Sequence, residues 1–308
     1  MSTNVSASIA AKLKNYARAN KHDVLTVLRR YAQERLLYRL AKSEYADKFC
    51  LKGGLLLAAY NGGDLKRPTE DIDFNGYDDS SDVTSLEAIL RNVLVRPYED
   101  DGVSFMAETM RIAKDREGIL TGGKIVLQAK IHTARVDVRV DVGFGNAITP
   151  AAKEMEIPTL LADVVPRPVI KAYPIETVVS EKLHAIAQHG LLNTRMKDYF
   201  DLLSISETFP FDGPLLVSAI ASTFARQKRE IPASPDGLSD QMGQRNSLQW
   251  RAFIRKQELD APDDFAEVVQ RIRSFLQPAI EAARGERIVP SEWNPSEGWT
   301  DGPSLKIA

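Results

Sequence analysis

Cysteine is almost missing: Cys50 stands alone in 308 residues. No internal disulfide can form, and a thiol inside the apolar run Phe49–Leu51 reads as a small buried hydrophobe, not a nucleophile. No apolar run reaches the roughly 18 residues of a membrane-spanning helix, so no membrane segment is expected. The opening MSTNVSASIAAKLKNYARAN lacks a compact apolar stretch and a cleavage site, so no secretion signal is expected either. A reducing, cytoplasmic setting is what these absences leave. The four histidines (His22, His132, His184, His189) show no metal-ligand spacing, and Ser180 with His184 has no orienting acid in view for a triad. Tandem repeats and low-complexity tracts are also missing.

Net charge is scarce, only −2, yet it is unevenly spread. Residues 1–48 hold ten Lys/Arg against four Asp/Glu, whereas residues 64–101 hold four against eleven. An acidic site beside a basic helical segment suits a polyanion approaching a metal centre. A helix with a solvated basic face would give the same count. The remaining composition, 44% hydrophobic and 27% charged, is that of an ordinary globular chain large enough for a substantial core.

What is present concentrates between Phe49 and Phe74, FCLKGGLLLAAYNGGDLKRPTEDIDF. A short apolar lead ends in Lys52-Gly53-Gly54, and Leu55–Tyr60 follows as a helix. The glycine pair offers bare backbone N–H groups at a positive helix terminus, which suits a phosphate. After the Asn61-Gly62-Gly63 turn comes Asp71-Ile72-Asp73-Phe74. On a strand, its period of two puts both carboxylates on one face and the apolar residues in the core. Two carboxylates on one rigid face call for a cation between them, and hard oxygen ligands match Mg²⁺. Glycines, helix, turn and acidic strand, in that order, are the layout of a nucleotidyl-transfer site.

Along the chain, residues 5–48 carry helical periodicity, with Asp23 as a cap or first-turn residue of a second helix. Residues 75–102 read as an acidic loop with one helix, Ser85–Val95. The period then changes to two, predicting strands at 105–115, 123–132 and 134–145, with turns at Glu117-Gly118 and Thr121-Gly122-Gly123. In the last strand Ala134, Val136, Val138, Val140 and Val142 form one face, and Arg135, Asp137, Arg139 and Asp141 the other. A two-metal centre needs a further carboxylate from a neighbouring strand. Asp137 and Asp141 are about 13 Å apart, so only one can serve. Asp141, at the strand's Gly-rich end, is the choice, with Asp137 left as a salt-bridge partner of the flanking arginines. A helix from about Glu176 ends at Gly190, and a second opens at Asn193-Thr194-Arg195-Met196-Lys197-Asp198. Lys182 and Asp198 share this helical pair, and Lys182 is a candidate triphosphate ligand. Beyond Phe209 only helices are expected, and from Arg284 an irregular tail.

KGG…RPTEDIDF (52–74), VDVGFGNAITP (140–150), PTLL (158–161), AYPIETVVSEKL (172–183), NTRMKDYFDLL (193–203), TFARQKREIP (223–232) and QWRAFIRK (249–256) together resemble the AbiEii family of nucleotidyltransferase toxins. The resemblance implies an α+β fold: a polymerase-β-like nucleotidyltransferase core, a mixed sheet with flanking helices, plus a C-terminal helical domain. The implied division is a helical arm at 1–48, the core at 49–150, a helical domain at 151–285 and an irregular tail at 286–308. It further implies transfer of NMP from an NTP to an acceptor, tRNA or another RNA, by the toxin of a bacterial type IV toxin–antitoxin or abortive-infection system. An AbiEi-type antitoxin would be the protein partner and Mg²⁺ the cofactor.

Residue by residue, Asp71 and Asp73 match the family's DxD metal ligands, Lys182 the lysine of its EKL helix, and Asp198 the first aspartate of RxKDxxDL. Asp141 takes the place of the third strand carboxylate. Lys52, Gly53, Gly54, Lys182 and Arg195 form the expected nucleotide-binding set, and Asp71, Asp73, Lys182 and Asp198 the catalytic one. Asp198 is open between orienting Lys182 and assisting deprotonation. Arg195 and Lys197 are open between substrate contact and solvation. Two departures stand out: Gly54 replaces the serine common in nucleotidyltransferases, and Asn146 stands where an acidic residue is more usual. The alternative is a non-catalytic nucleotidyltransferase-like module that binds RNA or protein.

Overall fold

The computed structural model describes residues 3–77, 83–95, 100–117 and 120–300. Parts of the expected acidic loop, Gly118 of the expected turn, and residues 301–308 of the tail lie outside the described residues. The chain forms two compact units, one from Met1–Asn146 with Ala152–Tyr173, the other from Ala147–Ala151 with Pro174–Ala308. Among the described residues no helix is long and apolar enough to cross a membrane.

The first unit opens with α1 (Thr3–Ala19) and α2 (Val24–Ala41). Asp23 caps α2, its Oδ2 accepting from the Thr26 amide at 2.8 Å. Helix α2 buries Leu28, Tyr31, Leu36 and Leu40, but also Arg30, Glu34, Arg35 and Arg39. Arg30 Nε reaches Glu34 at 2.9 Å, Arg39 Nη2 reaches Asp101 at 3.0 Å, and Arg35 Nη2 donates to the Pro166 carbonyl at 2.8 Å. Part of the basic excess of residues 1–48 is therefore internal. A helix enclosed by the sheet and the 158–166 segment gives its guanidiniums no water, so each is retained with an internal acceptor.

There follow β1 (Phe49–Lys52), α3 (Gly53–Tyr60), β2 (Asp71–Gly76), α4 (Val83–Val95), β3 (Val103–Glu117), β4 (Leu120–Ile131), β5 (Ala134–Phe144), β6 (Lys153–Glu156) and β7 (Val169–Ala172). The strands form one mixed sheet in the order β3-β4-β5-β2-β1-β7-β6. The pairs β2/β5 and β1/β7 are parallel, and the others antiparallel. Val136, Val138, Val140 and Val142 are buried together with Ile72 and Phe74, as their alternation requires.

Two local expectations are corrected. Thr121-Gly122-Gly123 is strand, with Gly122 and Gly123 opposite Gly143 and Val142 of β5 and also paired to β3. Ladders on both sides outweigh the glycines' turn preference. Asp137 contacts Gln128 Nε2 at 3.5 Å, while Arg139 Nη1 bonds Glu70 at 2.6 Å. Same-face neighbours along one strand sit about 7 Å apart, so cross-strand partners are closer than flanking ones.

The second unit contains α5 (Ile175–His189), α6 (Met196–Thr208), β8 (Phe211–Asp212), α7 (Gly213–Arg226), α8 (Asp240–Arg245), α9 (Ser247–Gln257), α10 (Phe265–Ala283), β9 (Glu292–Asn294) and β10 (Gly298–Thr300). Its core is aromatic: Trp250 stacks on Phe265 with centroids 5.2 Å apart, and Phe275 meets Phe211 at 5.1 Å and Trp293 at 4.9 Å. Beyond Phe209 the chain is not helical throughout, because β10, β9 and β8 form a small sheet. Two tryptophans hold that sheet down. Trp293 Nε1 donates to the Ser206 carbonyl at 2.8 Å and Trp299 Nε1 to that of Phe275 at 2.7 Å. Large indoles with one donor each find a place only where both the apolar body and the N–H are satisfied.

Candidate active site

Strand β1 turns directly into α3 at Gly53, whose φ is +71°. That conformation, in which L side chains are strained, brings the carboxylate of Asp73 onto the backbone. A Cβ at Gly53 would lie 1.9 Å from Asp73 Oδ2, and one at Gly54 would lie 2.7 Å from Thr69 Oγ1. The glycine pair is thus required by two neighbours from the RPTEDID segment. A serine in place of Gly54 would run into Thr69. No side chain caps the start of α3, and the first N–H groups of a helix have no acceptor within it.

The sheet aligns the acidic candidates. In the ladders, Asp73 stands opposite Lys52 of β1 on one side and Asp141 of β5 on the other, and Asp141 stands opposite Lys124 of β4. Residues paired across strands project to the same face, so Lys52, Asp73, Asp141 and Lys124 form one row across four strands. Asp71 shares the face two residues earlier, opposite Arg139. All three aspartates are half-buried, while Ile72, Phe74, Val140 and Val142 between them are buried on the other side. Lys52 reaches along the row: its Nζ comes within 3.8 Å of where a Cβ on Gly143 would stand. The donor set is three hard carboxylates on one rigid face. Among the described residues, however, no group of three or more His, Cys, Asp or Glu side chains is drawn closely enough to hold a metal ion. Asn146 gives its backbone N–H to the buried Asn75 Oδ1 at 3.2 Å.

The second unit gathers its own charged cluster. Lys182 Nζ, on α5, donates to Asp198 Oδ1 at 3.0 Å and to Asp201 Oδ2 at 2.5 Å, both on α6. Arg195 Nε holds the other Asp198 oxygen at 2.8 Å. Burial pushes the Asp198 carboxyl up, but Lys182 and then Arg195 outweigh it and hold it at about 2. Gly190, with φ +50°, ends α5 and allows α6 to return beside it. Asp201 escaped the sequence reading, although its signal was present: three residues beyond Asp198 on a helix is the same face. Ser180 bonds the Thr177 carbonyl and the Thr223 hydroxyl, and His184 meets Phe224 edge-on.

A family model described as nucleotidyl transferase AbiEii toxin, type IV toxin–antitoxin system, matches residues 35–271. Similar solved structures include JHP933 from Helicobacter pylori, at 16% identity over 84% of this chain and 94% of that one, with a TM-score of 0.46. A putative nucleotidyltransferase from H. pylori matches at 16% over 85% and 97%, with a TM-score of 0.47. MenT4, a nucleotidyltransferase toxin from Mycobacterium tuberculosis, matches at 17% over 90% and 98%, with a TM-score of 0.48. No curated protein matches the chain significantly.

Proposed function

The chain belongs to the AbiEii family of nucleotidyl transferase toxins of type IV toxin–antitoxin systems, and from that premise we propose that it transfers NMP from an NTP to an RNA acceptor, a tRNA end first among candidates. The observation that carries this reading is the register of Asp73 against Asp141, with the Asp73 carboxylate lying on Gly53. It sets acidic oxygens beside the start of α3, where phosphate oxygens can meet backbone N–H groups.

Mg²⁺ takes one or two carboxylates together with substrate phosphates and water, not an all-protein cage, so Asp71, Asp73 and Asp141 would hold it jointly with the bound NTP. When bound, the ion supplies positive charge that acidifies an acceptor hydroxyl and offsets charge on the leaving pyrophosphate. Gly53 and Gly54 cradle phosphate oxygens, and Lys52, set beside Asp73, contributes charge to the nucleotide. Lys182 neutralises triphosphate charge, with Arg195 as a further contact. Asp198 orients Lys182 and is no general base, because a carboxyl held at about 2 by two cations has little proton affinity at neutral pH. Asp201 is its partner in that task. The acceptor hydroxyl gives its proton to solvent water as its oxygen bonds the α-phosphorus, the bond to the β-phosphate oxygen breaks, and pyrophosphate leaves. An AbiEi-type antitoxin is the expected partner and the cytoplasm the expected setting.

The test is to incubate the protein with Mg²⁺, each labelled NTP in turn, and total RNA. Labelled RNA that disappears on chelation supports the proposal. No label in any fraction from folded protein would leave the non-catalytic binding module as the correct reading.

A further inference from the structure

Residues 241–257 contain four Lys/Arg and no Asp or Glu. In α9, Trp250 and Ile254 are buried, while Leu248, Arg251, Ala252 and Arg255 are exposed. Those four recur at helical spacing and make one outward stripe, with Arg245 just before it. Among the described residues, Arg245, Arg251, Arg255 and Lys256 form no ion pair with an acidic group. Arg271, Arg273, Arg284 and Arg287 of the same unit each hold a Glu or Asp. With Arg245 at the end of α8 just ahead of it, α9 thus carries Arg251 and Arg255 uncompensated.

That helix is tied to the charged cluster. Asn246 Nδ2 donates to the Asn193 carbonyl at 3.1 Å and Gln249 Nε2 to that of Thr194 at 3.3 Å, the two residues preceding Arg195. The same link carries two of the most exposed apolar side chains, Leu192 at 77% and Leu248 at 78%. A highly exposed leucine beside unpaired guanidiniums suits a partner with both flat apolar faces and regular negative charge. Single-stranded RNA has both: bases that stack on apolar and guanidinium surfaces, and phosphates.

We propose that the α9 stripe, Leu248, Arg251 and Arg255 with Leu192 of the adjoining loop, is where the acceptor RNA docks. This rests on the RNA-acceptor reading above. In the test, wild-type protein is first assayed for labelling of RNA and of protein. The variants Arg251→Gln/Arg255→Gln and Arg251→Glu/Arg255→Glu are then compared with Lys130→Glu/Arg135→Glu, an equal charge change on the exposed strands of the other unit.

The neutral pair should lower the slope of log affinity for tRNA against log salt by about 1.4, roughly 0.7 for each lost phosphate contact. The reversed pair should raise KM for RNA more than about tenfold, with KM for NTP, melting temperature and rate at saturating RNA near wild type. The control pair should leave KM for RNA unchanged. Labelling of protein and not RNA by the wild type overturns the acceptor reading itself. RNA labelling with KM and slope unchanged in both α9 variants, or equally changed in the control, overturns the docking face alone.

Discussion

The Asp73 carboxylate lies so close over the α-carbon of Gly53 that a side chain there would begin 1.9 Å from Oδ2. Glycine at this point is a condition for the acidic strand's position as well as for the +71° backbone. Gly62 shares a positive φ, +68°, but has nothing within 4 Å of its notional Cβ. Gly62→Ala should cost only the left-handed backbone penalty, about 1–2 kcal/mol, and retain activity. Gly53→Ala should carry that cost and, by displacing Asp73, lower transfer at least about a hundredfold. Urea melts and labelled-NTP assays on the two variants check this, and equal activity in both would refute it.

Asp73→Ala removes the carboxylate shared by the Lys52 and Asp141 registers. Transfer should fall by about a thousandfold or more with far-UV circular dichroism unchanged. A folded Asp73→Ala protein with full activity would end the metal assignment.

Asp201→Asn leaves Lys182 bonded to Asp198 but strips the negative charge from its shorter contact, at 2.5 Å. If the two aspartates aim the ammonium, the variant should lose about tenfold in transfer, expressed mainly at the NTP and not at the acceptor. Unchanged KM and kcat for NTP would mean that Asp201 serves the fold alone.

Asp198 sets a pH dependence of stability. Its carboxyl is held at about 2, below its ordinary 3.8. A lowered pKa means stabilisation that is complete above about pH 4 and lost as pH falls towards 2, on the order of 2 kcal/mol. Wild-type protein should therefore lose stability between pH 4 and 2 that Asp198→Asn does not, the variant being weaker at pH 7 from the start. All three tryptophans belong to the second unit, so their fluorescence during urea unfolding reports on the right part. Parallel losses in both proteins would count against the Lys182–Asp198 coupling.

Much of this protein was written locally. The alternation of DIDF and of ARVDVRVDV, the Asp23 cap, the Gly190 helix end and the glycine pair before α3 each depend on a few neighbouring residues. Periods of 2 and 3.6 report them faithfully. The family followed from the order of those motifs along the chain.

Only the tertiary structure decided which distant residues meet. The β2/β5 pairing brings Asp73 beside Asp141 across more than sixty intervening residues. Paired strands on both sides turned Gly122-Gly123 into strand, and the enclosure of α2 took Arg30, Arg35 and Arg39 out of water. Asp201 became a partner of Lys182 only when α6 folded back on α5, and the last tryptophans made a sheet because the aromatic core had a place for them. Each is a non-local contact, chosen by burial and hydrogen bonding across the fold, and a local pattern carries no record of what will be packed against it.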